Sequence, residues 1–108
     1  MKIIDIHTTI TIDYLLNFLK QKLNLLFQQQ RQSDISFIIE NIGSAIEIKQ
    51  PELYEGSLFR IEIRGTELLI TRRGDYIDDV NALTVESILY ELFAELAGEN
   101  GITFVLEG

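Results

Sequence analysis

Asp5 and His7 stand two positions apart near the start of the chain. In an extended segment that spacing puts both side chains on one face. A carboxylate beside an imidazole can orient the ring as a general base. His7 is the one histidine, and no cysteine is present. No Gly-x-Ser-x-Gly nucleophile motif accompanies the pair, and the chain carries no phosphate-binding loop, Gly-x-Gly-x-x-Gly or His-Glu-x-x-His sequence. A surface histidine is therefore the favoured reading of His7, and a small enzyme using carboxylates or the Asp5/His7 pair is an alternative. Asp75, Asp78 and Asp79 bring three carboxylates close together and could ligate a hard cation. Their spacing departs from the EF-hand loop, and Arg72 and Arg73 precede them, so a solvated turn is expected, with no metal and no cofactor. Zinc is disfavoured by ligand supply, with no cysteine and one histidine in the chain. The Arg73-Gly74-Asp75 string is too short to carry an integrin-binding assignment.

Charge points elsewhere. The formal net charge is −8, and it is unevenly placed. Residues 1–73 hold nine acids and nine bases, whereas residues 74–108 hold eight acids and no Lys, Arg or His. On a helix, Glu91, Glu95 and Glu99 form one ridge, because residues four apart are neighbours. Repulsion at that spacing costs roughly 0.2–0.5 kcal/mol per pair, and no base within the segment relieves it. Asp75, Asp78 and Asp79 extend the acidic third. Such a surface either keeps the protein dispersed or steers a basic partner toward it. Direct nucleic-acid binding is disfavoured, because phosphate contacts need a basic patch.

The third candidate is apolar. Residues 12–31 read as a helix capped by Thr9 or Thr11, with a core stripe of Ile12, Leu15, Leu16, Leu19, Leu23 and Leu26. Tyr14, Phe18 and Leu25 form a second stripe, roughly 100° around the wheel from the first. A helix packed on one sheet face does not need that stripe for its core. Either the loop 51–57, with Leu53 and Tyr54, folds over it, or a second subunit or another protein does.

The elements that must position these residues follow from periodicity. Residues 2–7 read as a strand with Ile4 and Ile6 inward. Segments 34–40 and 45–49 form a hairpin around Ile42-Gly43, with Ile39 opposite Ile46 and Phe37 opposite Ile48. Pro51 has no N–H for a ladder and ends it. Segments 58–64 and 67–73 flank Gly65-Thr66, a glycine-first turn of type II′. That register sets Ile63 on Leu68, Ile61 on Ile70 and Arg64 on Glu67. Thr84 is the expected N-cap of a second helix over 85–97, which Gly98, Asn100 and Gly101 stop. Residues 102–106 form a last strand with Ile102, Phe104 and Leu106 on one side.

The expected fold is one α+β domain over residues 1–108. Its order is β-α-β-β-β-β-α-β, an antiparallel or mixed sheet with two helices packed on one face. A cytoplasmic location is expected. Asp5 interrupts the N-terminal apolar run, as a signal peptide would not, and no stretch approaches the ~18 apolar residues of a membrane span. The favoured function is a non-enzymatic acidic binding module: an inhibitor, an immunity-type protein or a chaperone of a basic protein partner. Its expected binding residues are Tyr14, Phe18, Leu25, Asp75, Asp78, Asp79, Glu91, Glu95 and Glu99. A homodimeric assembly protein associating through the first helix is the alternative.

Overall fold

The computed structural model describes residues 1–74 and 78–106. The elements run β1 (Lys2–Asp5), α1 (Ile12–Arg31), β2 (Ile38–Ile42), β3 (Ala45–Lys49), β4 (Ser57–Arg64), β5 (Glu67–Arg72), α2 (Val80–Ala97) and β6 (Thr103–Leu106). The six strands form one sheet in the order β2-β3-β4-β5-β1-β6, and every neighbouring pair is antiparallel. The class and element order are those expected, and the sheet is antiparallel throughout. Both helices join one core with the apolar strand residues Ile4, Ile39, Ile46, Ile48, Phe59, Ile61, Leu68 and Ile70. The opposite face carries the alternate residues. There Lys49 Nζ meets Glu40 Oε1 at 2.7 Å, and Arg60 Nη1 meets Glu47 Oε2 at 2.8 Å. Period-two alternation thus separates an apolar face from a charged one.

The second hairpin has the expected register: Ile63 pairs with Leu68, Ile61 with Ile70 and Arg64 with Glu67. The first is shifted by two residues. Its turn is Gly43-Ser44, so Ile42 pairs with Ala45, Asn41 with Ile46 and Ile39 with Ile48. Gly43 has φ +61°, and Ser44 does not share the positive φ, which gives this hairpin the same glycine-first turn as Gly65. A shift of two keeps each side chain on its face, so alternation could not detect it.

Helix α1 has the expected bounds. Thr11 Oγ1 accepts the Tyr14 N–H at 3.2 Å. Leu15, Leu19, Leu23 and Phe27 are buried, each four residues from the next, and Ile12, Leu16 and Leu26 pack beside them. Helix α2 starts five residues earlier than expected. Its N-cap is Asp79, whose Oδ1 accepts the Ala82 N–H at 2.9 Å and the Tyr54 hydroxyl at 2.7 Å. Thr84 lies inside the helix and donates to the Val80 carbonyl at 2.8 Å. Aspartate is as good a cap as threonine, and here a buried tyrosine also holds it. Four strands are shorter than expected: β1, β2, β5 and β6, with β2 running over Ile38–Ile42 rather than 34–40. β1 stops at Asp5 because His7 turns out of the strand at φ +61°. β6 begins at Thr103, and an irregularity against β1 pairs Phe104 with Ile4 and Leu106 with Ile3. Phe104 and Leu106 therefore lie on opposite faces.

Candidate functional site

Along α1, Tyr14 and Leu25 remain 60% and 56% exposed, and Phe18 is half-buried. The loop 51–57 does not reach them. Asn24 and Gln28, on the other flank of α1, hold the strand-entry segment instead. Asn24 Nδ2 donates to the Phe37 carbonyl and its Oδ1 accepts the Phe37 N–H, at 2.9 and 2.7 Å. Gln28 Nε2 donates to the Ile35 carbonyl at 3.3 Å, and Gln50 Nε2 to the Ser36 carbonyl at 2.6 Å. The loop that follows packs at the other end of the helices: Tyr54 is buried with its hydroxyl on the α2 N-cap, and Leu53 lines a 450 Å³ cavity with Ser33, Ile35 and Gln50.

On the near side α1 and α2 form a groove with two concavities. The larger, 510 Å³, is lined by Thr8 to Thr11, Tyr14 and Phe18 from one side and by Glu95 and Leu96 from the other. The smaller, 220 Å³, is lined by Lys22, Leu25, Leu26 and Glu95. Between them Lys22 Nζ meets Glu95 Oε1 at 2.6 Å and lies 4.9 Å from the centre of the Phe18 ring. The Tyr14 and Phe18 rings stack with centroids 6.5 Å apart. The groove therefore has two hollows with one ion pair between them, the larger lined by threonines as well as by Tyr14, Phe18 and Leu96, the smaller mainly apolar.

The acidic candidates do not form one patch. The expected three-residue ridge stops at Glu95, because Gly98 ends the helix and puts Glu99 in the turn beyond it; Glu91 and Glu99 are exposed, and Glu95 is bound by Lys22. The relief absent within the acidic segment thus comes from α1. Asp79 is committed to capping α2, and exposed Asp78 precedes it. Asp75 lies outside the described residues. At 1.5 Å rise per residue, about 27 Å separates the two ends of this helix, and the caps Asp79 and Gly98 mark those ends. Glu86 serves another cluster: Lys2 Nζ and Arg72 Nη1 approach it at 3.6 and 3.4 Å. The neighbouring Tyr90 hydroxyl raises the Lys2 pKa, with Glu86 adding to the effect, although that hydroxyl closes no hydrogen bond of good geometry. Burial pushes Tyr90 itself up.

Around His7 the structure adds a group that the sequence left unconnected. Thr103 Oγ1, on β6, shares a 2.8 Å hydrogen bond with His7 Nε2. The His7 backbone N–H donates to Asp5 Oδ1 at 2.8 Å, and the ring Nδ1 lies 3.6 Å from that same oxygen. The His7 N–H, followed by the Thr66 hydroxyl, holds Asp5 below the usual carboxylate range. Hydroxyl and imidazole are thus within hydrogen-bond reach, as a nucleophile and its base would be, whereas the carboxylate is too far from the ring nitrogen to be hydrogen-bonded to it. His7 and Thr103 are exposed, β1 lies inside the sheet rather than at its edge, and none of the three residues lines a cavity described above. Among the described residues no group of three or more His, Asp or Glu could hold a metal ion. No helix among them is long and apolar enough to cross a membrane.

No protein-family model matches the chain, and no curated protein or solved structure matches it either.

Proposed function

We propose that this protein is an acidic binding module that takes a basic protein partner on the groove between α1 and α2. The observation that carries the reading is the Tyr14–Phe18–Leu25 stripe. Its two outer members stay more than half exposed, although the loop with the apolar residues to cover them is folded elsewhere. Large apolar side chains beside a concave surface are the usual core of a protein interface, and a charged rim supplies steering. The net charge of −8 favours a basic partner over an acidic one. The test is affinity capture from the native host with wild type and with Leu25→Glu, followed by binding measurements on the captured protein at low and high salt. A stoichiometric basic partner, lost with Leu25→Glu and weakened by salt, supports the reading. Salt-independent binding that ignores Leu25→Glu overturns it.

A second reading draws on the Thr103 hydroxyl beside His7: a small enzyme that activates that hydroxyl for acyl transfer. It predicts turnover of activated esters that disappears in both His7→Ala and Thr103→Val while the fold survives. An unchanged rate in either variant removes it.

A further inference from the structure

Resting on the binding-module reading, we infer that the occupant of the groove is an amphipathic basic α-helix of the partner, with apolar anchors two turns apart. The two hollows set the spacing. Phe18 lines the first and Leu25 the second, seven residues apart on one helix. At 1.5 Å per residue the separation is about 10.5 Å, the reach of side chains at i and i+7 on a helix laid alongside. The ion pair of Lys22 and Glu95 stands between the hollows, so the occupant needs a small or polar face at its midpoint.

The second wall fixes the charge. Glu95 borders both hollows but is already bound to Lys22. Glu91 lies one turn before it on α2, exposed and with no ion-pair partner among the described residues, and Glu99 is exposed just beyond Gly98, the cap that ends the helix. Lys or Arg side chains on one flank of a helix meet these carboxylates while its anchors enter the two hollows. An extended strand, at about 3.3 Å per residue, would place alternate side chains about 6.6 Å apart and miss the spacing of the hollows at successive inward positions. Laid end to end, the hollows also provide two separate pockets for anchors rather than one flat patch.

The test uses the full chain and three sixteen-residue synthetic peptides. The first carries Leu two turns apart and Lys on the neighbouring flank. The second has Glu in place of each Lys, and the third has the first peptide's residues with a central Pro. Affinity is read by fluorescence anisotropy at low and high salt, and the site by amide chemical shifts. The expected result is binding of the first peptide alone, with shifts at Phe18, Leu25 and Glu95. Leu25→Glu and Tyr14→Ala should each weaken it about tenfold, equivalent to ~1.4 kcal/mol. The pair Glu91→Gln and Glu99→Gln should remove most of its salt dependence. Failure of the first peptide to bind, equal binding of the acidic or Pro-broken peptide, or shifts confined to strands β2 and β6 overturns the inference. A concentration-dependent dimer in light scattering, dissolved by Leu25→Glu, also overturns it by showing that a second copy fills the groove. The broader reading fails separately: it falls only if the captured native partner ignores both Leu25→Glu and salt.

Discussion

Leu23 and Leu25 sit two positions apart on one helix and face opposite environments. Leu23 is fully buried, whereas Leu25 is more than half exposed. Substituting Glu at each should separate core from binding surface. Leu23→Glu buries an unpaired carboxylate and should destabilise the fold by about 3 kcal/mol or more. Leu25→Glu should stay within about 0.5 kcal/mol of wild type, as read by thermal denaturation in circular dichroism. A large loss with Leu25→Glu would assign the second stripe to the core. The carboxylates make a pH prediction at the same scale. Glu47 is held below its ordinary value, first by the Ser57 hydroxyl and then by Lys49 and Arg60 against an opposing burial effect. A lowered acid contributes stability above its unfolded pKa and loses it as pH falls through the folded value. Glu47→Gln should therefore melt lower than wild type at pH 7, and the gap should close as pH falls below about 4. A gap that persists at pH 2 would place the cost in packing rather than in charge.

At the scale of elements, the N-terminus of α2 offers the sharpest contrast. Asp79→Ala removes the acceptor for both the Ala82 N–H and the Tyr54 hydroxyl. Its cost should be about 1–2 kcal/mol, or roughly 4–16 °C in the melting midpoint. Thr84→Ala should be neutral or slightly stabilising, because it puts the better helix former in a helix interior. Equal losses from the two would contradict the observed cap. Strand β6 gives a second contrast. All four of its residues are exposed, and Thr103 joins it to His7. Thr103→Val should speed amide hydrogen exchange in β6 while leaving β4 unchanged. These two sites also mark how far the sequence was legible. Helix α1 was readable to its ends because Thr11, a leucine stripe and a polar tail all agree. The second hairpin was readable because Gly65 and four apolar partners fix one register. The start of α2 was not, because Asp79 becomes the better cap only through Tyr54, twenty-five residues away. The first hairpin admitted two registers that bury the same face. The apolar stripe was legible as a periodicity. The groove beside it was not, since its far wall and the Lys22–Glu95 pair join residues seventy-three positions apart.

At the scale of the whole molecule, charge and groove have to be considered together. The excess of acids over bases gives a long-range attraction for any basic protein, but only some of those acids remain free to act in a contact. Glu86 lies between Lys2 and Arg72, Glu95 is bound to Lys22, and Asp79 caps a helix. Glu91 on α2 and Glu99 just beyond its C-cap are exposed acids that carry no such commitment among the described residues. Replacing them should therefore differ in kind from replacing Glu95. Glu91→Gln with Glu99→Gln should slow association with the captured partner severalfold at low salt and leave the melting midpoint unchanged or slightly raised, since anions at a helix C-terminus are unfavourable. Glu95→Gln should lower the midpoint slightly, by the ~0.2–1 kcal/mol of an exposed ion pair, and release Lys22 into the groove. Raising salt should slow wild type toward the double variant, because screening shortens the reach of these charges to about 8 Å at physiological ionic strength. Salt should slow the double variant less. Stopped-flow association rates at two ionic strengths measure all four cases. Parallel slopes for wild type and the double variant would mean that the two carboxylates take no part in steering, and that the remaining acidic surface supplies it.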